Sequence, residues 1–328
     1  MKLPLNLKIK SNQKNLRIIA ISTLLVLGSI LFLLTGPEVF NLVESKVSSG
    51  NLEEAVNFTS SVLAETTPPV QTPKIQIVSS NIEAPKISAV SALAFDVETN
   101  QLLFQKNINQ RLALASTTKI MTAIIASEHF TSADILTVPT EAIVGGSSME
   151  LSGGERLTFR SLLYGMMLNS GNDAAFTIAM NYPGGYDAFV SKMNGRVLEM
   201  GLKDTHFDNP AGFDSPTNYS SAYDLLQIGI ASMQNVKLGR VFSTKETSVT
   251  SIDKTQIHVL KNLNKLLSQE GVVGIKTGTT EKAGESFVGL VEKNSHTILI
   301  VVLNSNDRFG ETKELIDWIF TNYSWQVN

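Results

Sequence analysis

Three short polar strings, far apart along the chain, most constrain how it can fold. They are Ser-Thr-Thr-Lys at 116–119, Ser-Gly-Asn at 170–172 and Lys-Thr-Gly at 276–278. Together they supply a nucleophilic hydroxyl, a nearby amine, a proton relay and a cationic strand edge, which are the groups that acyl transfer needs without a histidine or metal. Ser-x-x-Lys and Ser-x-Asn also occur elsewhere in the chain, whereas Lys-Thr-Gly is unique. The ordered set therefore predicts a fold that gathers all three strings around one cleft.

Composition and charge narrow the classes of protein that this chain can be. With 328 residues, 43% of them apolar, it can bury one large core or two smaller ones beside extra segments. The first 17 residues carry five cations and no acid, so the net charge of −3 leaves −8 on residues 18–328. Nucleic-acid binding uses a basic face. We therefore expect no nucleic acid among the partners.

Cysteine and histidine usage limits the chemistry further. The chain has no cysteine, which excludes disulfides, thiolate zinc sites and a cysteine nucleophile. Its four histidines are widely separated, and no His-Glu-x-x-His pair occurs. We expect no metal site and no cofactor.

An uncharged, mostly apolar run near the N-terminus predicts export. Residues 18–34 read IIAISTLLVLGSILFLL. About twenty such residues suffice to cross a bilayer as a helix, and the preceding cations favour a cytoplasmic N-terminus. We expect a cytoplasmic tail at 1–17, an anchor in the cell membrane at 18–37 and an extracytoplasmic body. A cleaved signal peptide is the alternative, although the run is long and Leu34-Thr35-Gly36-Pro37 is a poor cleavage site.

The remainder divides into a spacer and a globular domain. Residues 38–86 hold four prolines among many Ser, Thr, Gln and Asn residues, a composition typical of an extended linker. The domain occupies 87–328, with strands at both ends, a helical insertion at about 125–235 and a closing amphipathic helix. This order predicts an α+β fold in which helices flank an antiparallel sheet. The predicted strands are 91–95, 101–105, 272–277, 286–291 and 297–304. The predicted helical segments are 114–130, 157–180 with a cap at Thr158 and a break at 169–172, about 191–234, and 311–323.

The first string places a hydroxyl and an amine on one helix face. Ser116 and Lys119 are three residues apart where a helix begins, so the amine can reach the hydroxyl. The partial positive charge at the helix N-terminus favours a developing alkoxide. Burial, and a second cation such as Lys276, would favour the neutral amine. A Ser/Thr-rich helix start followed by a solvated lysine is the alternative, and the apolar residues after Lys119 count against it.

The second and third strings fit two interpretations each. Ser170 and Asn172 lie in a break between two helices, where they can present short polar groups, but the same residues suit an ordinary helix end and cap. Lys276, Thr277 and Gly278 end a predicted strand, where a glycine admits a ligand to the strand edge and a lysine can attract a carboxylate. A strand that runs into a turn has the same pattern.

Taken together, the strings resemble a known family. STTKIMTA from Ser116, LYGMMLNSGNDAA from Leu163 and GIKTGTTEKAG from Gly274 resemble the low-molecular-mass penicillin-binding proteins, and within them the serine-type D-alanyl-D-alanine carboxypeptidases. The resemblance spans about residues 87–323. It implies a β-lactamase/transpeptidase-like fold with a helical subdomain, and the activity of a hydrolase that removes the terminal D-alanine from peptidoglycan stem peptides. β-Lactam antibiotics would be covalent inhibitors.

The resemblance also implies catalytic roles. Ser116 would be the acylated nucleophile and Lys119 its general base. Ser170 would relay a proton to the departing D-alanine, and Asn172 would bind the peptide amide of the substrate.

Substrate-binding roles come from the same resemblance. Lys276 would tune the site electrostatically, and Thr277 and Gly278 would line the strand that pairs with substrate. The backbone N–H groups of Ser116 and Thr279 would form an oxyanion hole. Arg308 matches a place where the family uses an arginine for the terminal carboxylate of the substrate.

The chain departs from the family pattern in one respect. Many members have a β-rich second domain and a C-terminal amphipathic anchor, and we expect neither here because the sequence ends soon after the closing helix. The predicted N-terminal anchor would replace the missing one, with residues 38–86 spacing the site from the membrane.

Two alternatives to the peptidase stay open at this point. A serine β-lactamase shares the three strings, but the Glu-x-x-Leu-Asn segment of class A enzymes is absent. A wall-binding sensor would keep the fold without turnover. Endopeptidase action on cross-links would use the same residues as carboxypeptidase action, so the sequence does not separate these two peptidase activities.

Overall fold

A five-stranded antiparallel sheet is the centre of the protein. The computed structural model describes residues 74–77 and 83–326. Each strand of the sheet pairs antiparallel with its neighbours. In spatial order the strands are β10 (Val272–Thr280), β11 (Gly284–Lys293), β12 (His296–Ser305), β2 (Ser91–Asp96) and β3 (Gln101–Lys106).

Helices and four short strand pairs surround this sheet. The α-helices are α1 (Lys119–His129), α2 (Phe159–Leu168), α3 (Asn172–Met180), α4 (Gly185–Glu199), α5 (Ala222–Met233), α6 (Val236–Phe242) and α7 (Arg308–Asn322). Two 3-10 helices span Ala115–Thr118 and Thr140–Ala142. The antiparallel pairs are β1 (Lys74–Ile77) with β13 (Tyr323–Gln326), β4 (Leu112–Ala113) with β7 (Tyr219–Ser220), β5 (Ile135–Thr137) with β6 (Arg156–Thr158), and β8 (Glu246–Thr250) with β9 (Ile257–Lys261).

The alternation of side chains along β12 explains the layers of the domain. Successive residues of a strand point to opposite faces, so a strand covered on both sides is apolar throughout. Residues 298–303 of β12 are all buried. Ile298, Ile300 and Val302 join a core with Leu315, Ile316 and Ile319 of α7. Leu299, Val301 and Leu303 join the larger core formed with helices α1 to α6.

Capping side chains set where two of the helices begin. Thr158 precedes α2, and its hydroxyl accepts a hydrogen bond from the Ser161 N–H at 3.1 Å, which confirms the predicted cap. Ser221 caps α5 in the same way through the N–H of Asp224. The break between α2 and α3 falls at residues 169–171, within the predicted interruption.

The predicted helical stretch at about 191–234 is wrong in its middle. Helix α4 ends at Glu199 and α5 begins at Ala222, and residues 200–218 form a loop. Gly201 and Gly212 adopt positive φ angles of 68° and 91°, and Pro210 lies between them. A continuous helix cannot contain this backbone.

None of the four short strand pairs was predicted. The β8–β9 hairpin alternates only weakly in hydrophobicity on β8, where no residue is fully buried. Strand β1 falls inside the predicted linker at 38–86 and pairs with β13 immediately after α7. Residues 74–77 of that segment are therefore a strand rather than part of an extended spacer.

The N-terminal predictions lie outside the described residues. They concern the cytoplasmic tail at 1–17, the anchor at 18–37 and the linker up to residue 73. Within the part of the chain that the structure describes, none of the helices has the length and hydrophobicity needed to span a bilayer.

Candidate active site

The turn before α1 presents Ser116 beside Lys119. The 3-10 helix Ala115–Thr118 leads directly into α1, so the two side chains lie on the same side of the chain. The Lys119 Nζ is 2.9 Å from the Ser116 Oγ, which confirms that the amine reaches the hydroxyl. Ala115 adopts a positive φ of 47°, a left-handed conformation that is uncommon for residues other than glycine. The surrounding contacts hold this turn in place.

Two glycines allow other segments to approach that turn. A Cβ atom on Gly278 of β10 would lie 2.8 Å from the Ser116 N and 2.9 Å from the Ala115 Cβ. A Cβ atom on Gly212 would lie 1.7 Å from the Ala115 carbonyl oxygen, and Gly212 also has a positive φ. Both positions therefore require a residue without a side chain.

Lys119 is fully buried and surrounded by three oxygen acceptors. Besides the Ser116 hydroxyl, its Nζ lies 2.8 Å from the Asn172 Oδ1 and 2.7 Å from the Ala211 carbonyl oxygen. Burial lowers the pKa of Lys119 well below its usual value, and the charge of Lys276 lowers it further, whereas Asp173 opposes the shift. A neutral amine at this place can accept the Ser116 proton.

Two further cations lie along the β10 edge. Lys276 is 2% exposed, and burial together with the charge of Arg308 lowers its pKa to about 7. The Arg308 Nη1 donates to the Gly278 carbonyl oxygen at 2.8 Å and also contacts the Thr279 hydroxyl. Burial lowers the pKa of Arg308, and Glu285 opposes that change. Positive charge therefore lines the strand edge next to the nucleophile.

The break between α2 and α3 supplies the second string. Ser170 has a positive φ of 60° and is 3% exposed, and its hydroxyl has no hydrogen-bond partner among residues 83–326. Asn172 accepts from Lys119 through Oδ1 and donates from Nδ2 to the Gly145 carbonyl oxygen at 2.8 Å. The Ser170 hydroxyl is therefore free to bond a substrate.

Asp173 organises a loop that the sequence did not reveal as part of the site. We call residues 143–155 the site loop. The Asp173 carboxylate accepts from the Ser148 hydroxyl at 2.6 Å and from the N–H groups of Met149 and Leu151 at 3.1 Å each. The Asn172 N–H donates to the Ser147 carbonyl oxygen at 2.7 Å. The one sequence signal for this role was the acid Asp173, which directly follows the Ser-Gly-Asn string, but the same residue also suited a helix cap.

The 200–218 loop is the second contributor that the sequence missed. Its Asn209 Oδ1 accepts from the Gly212 and Phe213 N–H groups at 2.7 and 2.9 Å, which holds the Ala211 carbonyl oxygen toward Lys119. Asp214 accepts from the Thr280 hydroxyl at 2.7 Å and so connects this loop to the end of β10. A backbone carbonyl has no signature in a sequence, so its role was not predictable.

One group of described residues has ligand atoms close enough for a metal ion. These atoms belong to Asp96, Glu98 and His296 and lie within 4.8 Å of one another, on segments other than those that carry the three strings. Asp96 already accepts from the Thr99 N–H at 2.7 Å and from the Trp325 Nε1 at 2.5 Å. Hydrogen bonds within the fold therefore explain the position of the Asp96 carboxylate.

The structure thus brings most of the predicted residues together. Ser116, Lys119 and Asn172 are in direct contact, while Arg308 contacts Gly278 and Thr279. The Lys276 side chain makes no hydrogen bond with the Ser116 hydroxyl. It acts on Lys119 through its charge. Thr277 lies between Lys276 and Gly278 on β10.

Comparison with known proteins agrees with this geometry. The sequence profile of the D-alanyl-D-alanine carboxypeptidases, peptidase family S11, matches residues 78–307. The chain belongs to this family. Its fold is accordingly the α+β fold of the DD-peptidases and β-lactamases. The S11 profile covers all three strings and the strand edge that carries Gly278.

Several S11 relatives are similar over most of the domain. D-alanyl-D-alanine carboxypeptidase DacF of Bacillus subtilis is 32% identical over 245 residues, which are 72% of this chain and 63% of DacF. The D-alanyl-D-alanine endopeptidase of Escherichia coli is 28% identical over 72% of this chain and 79% of its own length. The crystal structure of the Streptomyces K15 DD-transpeptidase superposes with a TM-score of 0.69 at 31% identity and covers 73% of this chain and 100% of that one. This chain therefore matches less than two thirds of DacF.

The pKa of Lys276 predicts how stability changes with pH. Above pH 7 the folded protein releases this proton while the unfolded chain keeps it up to about pH 10, so unfolding takes up a proton and becomes less favourable as pH rises. The free energy of unfolding of the wild type, relative to that of Lys276→Met, should rise by up to about 1.4 kcal/mol per pH unit between pH 7 and 9.5. Chemical denaturation at several pH values measures it.

The exposed Lys237 provides the matched control for this titration. Lys237→Met removes a lysine on α6 that is open to solvent, so its stability relative to the wild type should change little over the same range. A difference between wild type and Lys276→Met that is constant with pH would contradict the buried, neutralised amine.

Proposed function

We propose that this protein is a serine-type D-alanyl-D-alanine carboxypeptidase that removes the terminal D-alanine from peptidoglycan stem peptides through an acyl-enzyme on Ser116. The observation that carries the proposal is the buried Lys119 amine, 2.9 Å from the Ser116 hydroxyl and held by Asn172 and the Ala211 carbonyl. Membership of the S11 family and the names of its relatives support the same reaction. β-Lactams would acylate the same hydroxyl.

The first half of the reaction forms an ester on Ser116. The Ser116 oxygen attacks the carbonyl carbon of the penultimate D-alanine as its proton passes to the neutral Lys119 amine. The Ser116 and Thr279 N–H groups would stabilise the negative oxygen of the tetrahedral intermediate. Gly278 allows this close approach of β10 to the nucleophile.

Collapse of the intermediate breaks the peptide C–N bond. The departing D-alanine amine needs a proton, and the unpartnered Ser170 hydroxyl can pass it on from the Lys119 ammonium. The ammonium thereby returns to its neutral form. Water then attacks the ester as Lys119 takes a proton from it. Lys119 passes that proton to the Ser116 oxygen when the ester C–O bond breaks, and the shortened peptide leaves.

The cations of the β10 edge suit the terminal carboxylate of the substrate. Arg308 is half-buried and already fixed by the Gly278 carbonyl, and its Nε has no partner within the described residues. The buried Lys276 amine adds positive charge while it is protonated, below its pKa of about 7. An extended peptide that pairs with β10 would direct its carboxylate toward these groups.

The arrangement favours the peptidase over a β-lactamase. A class A lactamase uses a carboxylate that activates water for rapid deacylation. Asp173, whose charge acts on Lys119, has its oxygens occupied by Ser148, Met149 and Leu151. We expect a penicillin ester on Ser116 to persist for minutes or longer.

Substitution of the nucleophile tests the reaction directly. Ser116→Ala should abolish the release of D-alanine from a peptide that ends in D-Ala-D-Ala, because no ester can form. It should equally abolish covalent labelling by fluorescent penicillin. Both are measured on the same preparation, by an assay for free D-alanine and by in-gel fluorescence.

Ser127→Ala in the same helix region is the matched control, since its hydroxyl makes no hydrogen bond within the described residues. Undiminished D-alanine release by Ser116→Ala would refute the proposal. Fast turnover of penicillin by the wild type would favour a β-lactamase. Stoichiometric labelling without D-alanine release would favour a wall-binding sensor.

The close approach at Gly278 makes a second prediction. A Cβ at residue 278 meets the Ser116 N and the Ala115 Cβ at under 3.0 Å. Either β10 or the Ala115–Thr118 turn that carries Ser116, the nucleophile turn, must therefore move. A displacement of about 1 Å costs on the order of 10²-fold in rate, and we expect that loss in the acylation of Gly278→Ala by penicillin. Gly195→Ala, with no atom within 4 Å of the new Cβ, should acylate at the wild-type rate. Equal rates for both variants would show that the approach is not required.

We also propose how the chain is placed in the cell. Residues 18–37 would anchor it in the cell membrane with the tail 1–17 in the cytoplasm, residues 38–73 would form the tether, and the peptidase domain would lie outside. The uncharged apolar run and the five preceding cations support this arrangement.

Two measurements test the proposed anchor. After a carbonate wash the protein should stay in the membrane pellet, and its intact mass should include residues 1–37. A measured mass equal to that of a chain that starts near residue 37 would identify a cleaved signal peptide instead.

A further inference from the structure

A buried histidine–glutamate pair joins the β8–β9 hairpin to the site loop. His258 is an inward-facing residue of β9, and its Nε2 lies 2.7 Å from the Glu155 Oε1. The two side chains are only 6% and 5% exposed. The His258 Nδ1 is 2.8 Å from the Met149 carbonyl oxygen, and the Glu155 Oε2 accepts from the Ser152 N–H at 3.1 Å. Each polar atom of the pair thus has a partner in the loop or in the other side chain.

Hydrogen-bond chemistry fixes what His258 does at Met149. A carbonyl oxygen can only accept, so the His258 Nδ1 must carry a hydrogen. The Nε2 and Glu155 then share one further proton, as imidazolium with carboxylate or as imidazole with carboxylic acid. In either form the pair is satisfied only while the site loop stays in place.

Met149 is consequently held at both ends of its backbone. Its N–H donates to Asp173 and its carbonyl accepts from His258. The next residue, Glu150, adopts a left-handed φ of 66°, which is costly for a residue with a side chain. Such a conformation persists only where the surrounding contacts over-determine it.

The site loop in turn supports Asn172. The Ser147 carbonyl accepts from the Asn172 N–H, and the Gly145 carbonyl accepts from its side-chain amide. Asn172 then contacts the Lys119 amine. Hydrogen bonds and short backbone segments therefore connect His258 to the base of the reaction.

We propose that His258 and Glu155 are positioning residues that fix the site loop, and through it Asn172, for the acylation of Ser116. The inference rests on the proposed function for its kinetic consequence and on geometry alone for its effect on the loop. Neither residue touches the reacting atoms. Their role is to hold Met149 against Asp173 while substrate binds.

Three variants of the full chain separate positioning from folding. Removing one partner of a buried pair leaves the other uncompensated, whereas replacing both with apolar residues is often tolerated. The double variant His258→Phe/Glu155→Leu therefore keeps a packed interior but no longer holds the Met149 carbonyl. His258→Gln keeps one hydrogen-bond donor group at position 258. The control is His129→Gln, which changes an exposed histidine at the end of α1.

The kinetic readout is the rate constant and the final amplitude of labelling by fluorescent penicillin. We expect the double variant to acylate roughly ten- to a hundredfold more slowly while reaching full amplitude, because the protein is folded but its loop is displaced. His258→Gln should lie between the double variant and the wild type, and His129→Gln should match the wild type. A lower amplitude with an unchanged rate constant would mean a purely structural role and would overturn the proposal.

Hydrogen–deuterium exchange provides a readout that is independent of the reaction. The N–H groups of Met149, Leu151 and Asn172 should exchange faster in the double variant, while those of α7 remain protected. Unchanged exchange in the loop would overturn the proposal even if acylation were slow. If the wild type showed neither labelling nor D-alanine release, the proposed function would fail, and the exchange data would still decide whether this pair holds the loop.

Discussion

The burial of the Lys119 amine is the constraint around which the rest of the site is arranged. An ammonium in the protein interior must be compensated by acceptors or lose its proton, and here both occur. Its three oxygen partners come from the turn before α1, the start of α3 and the 200–218 loop. The amine therefore connects three distant segments while its lowered pKa makes it a base. The burial that brings these segments together is thus also what makes the amine reactive.

The sheet supplies the fourth side of that cleft. Strand β10 lies at an edge of the five-stranded sheet and has β11 as its one neighbour there, so its other edge is turned toward the nucleophile turn. Gly278 lets the backbone of this edge approach Ser116, and Arg308 at the start of α7 binds the same stretch of strand. The two apolar faces of β12 fix the sheet between helical layers, which makes the position of β10 a consequence of core packing. Rigid placement of this kind is what acyl transfer requires.

Periodicity and local spacing predicted much of the fold. The sheet strands, the cap at Thr158, the break before Asn172 and the Ser116–Lys119 contact all follow from patterns a few residues long. The 200–218 loop was wrongly expected to be helical, although its glycines and prolines interrupt a helix. The β8–β9 hairpin was missed because β8 has no fully buried residue to mark it.

By itself the sequence determined the chemical inventory: the nucleophile, two lysines, the Ser-Gly-Asn string and a histidine-free, cysteine-free set of active groups. These depend on residue identity and short spacing, which a chain carries whether or not it is folded. Only the tertiary structure decided that the Ala211 carbonyl completes the environment of Lys119, that Asp173 accepts hydrogen bonds from the site loop, and that His258 contacts Met149. Those contacts join residues far apart in the chain and use backbone atoms that every residue possesses. Their geometry therefore exists only once the core has packed.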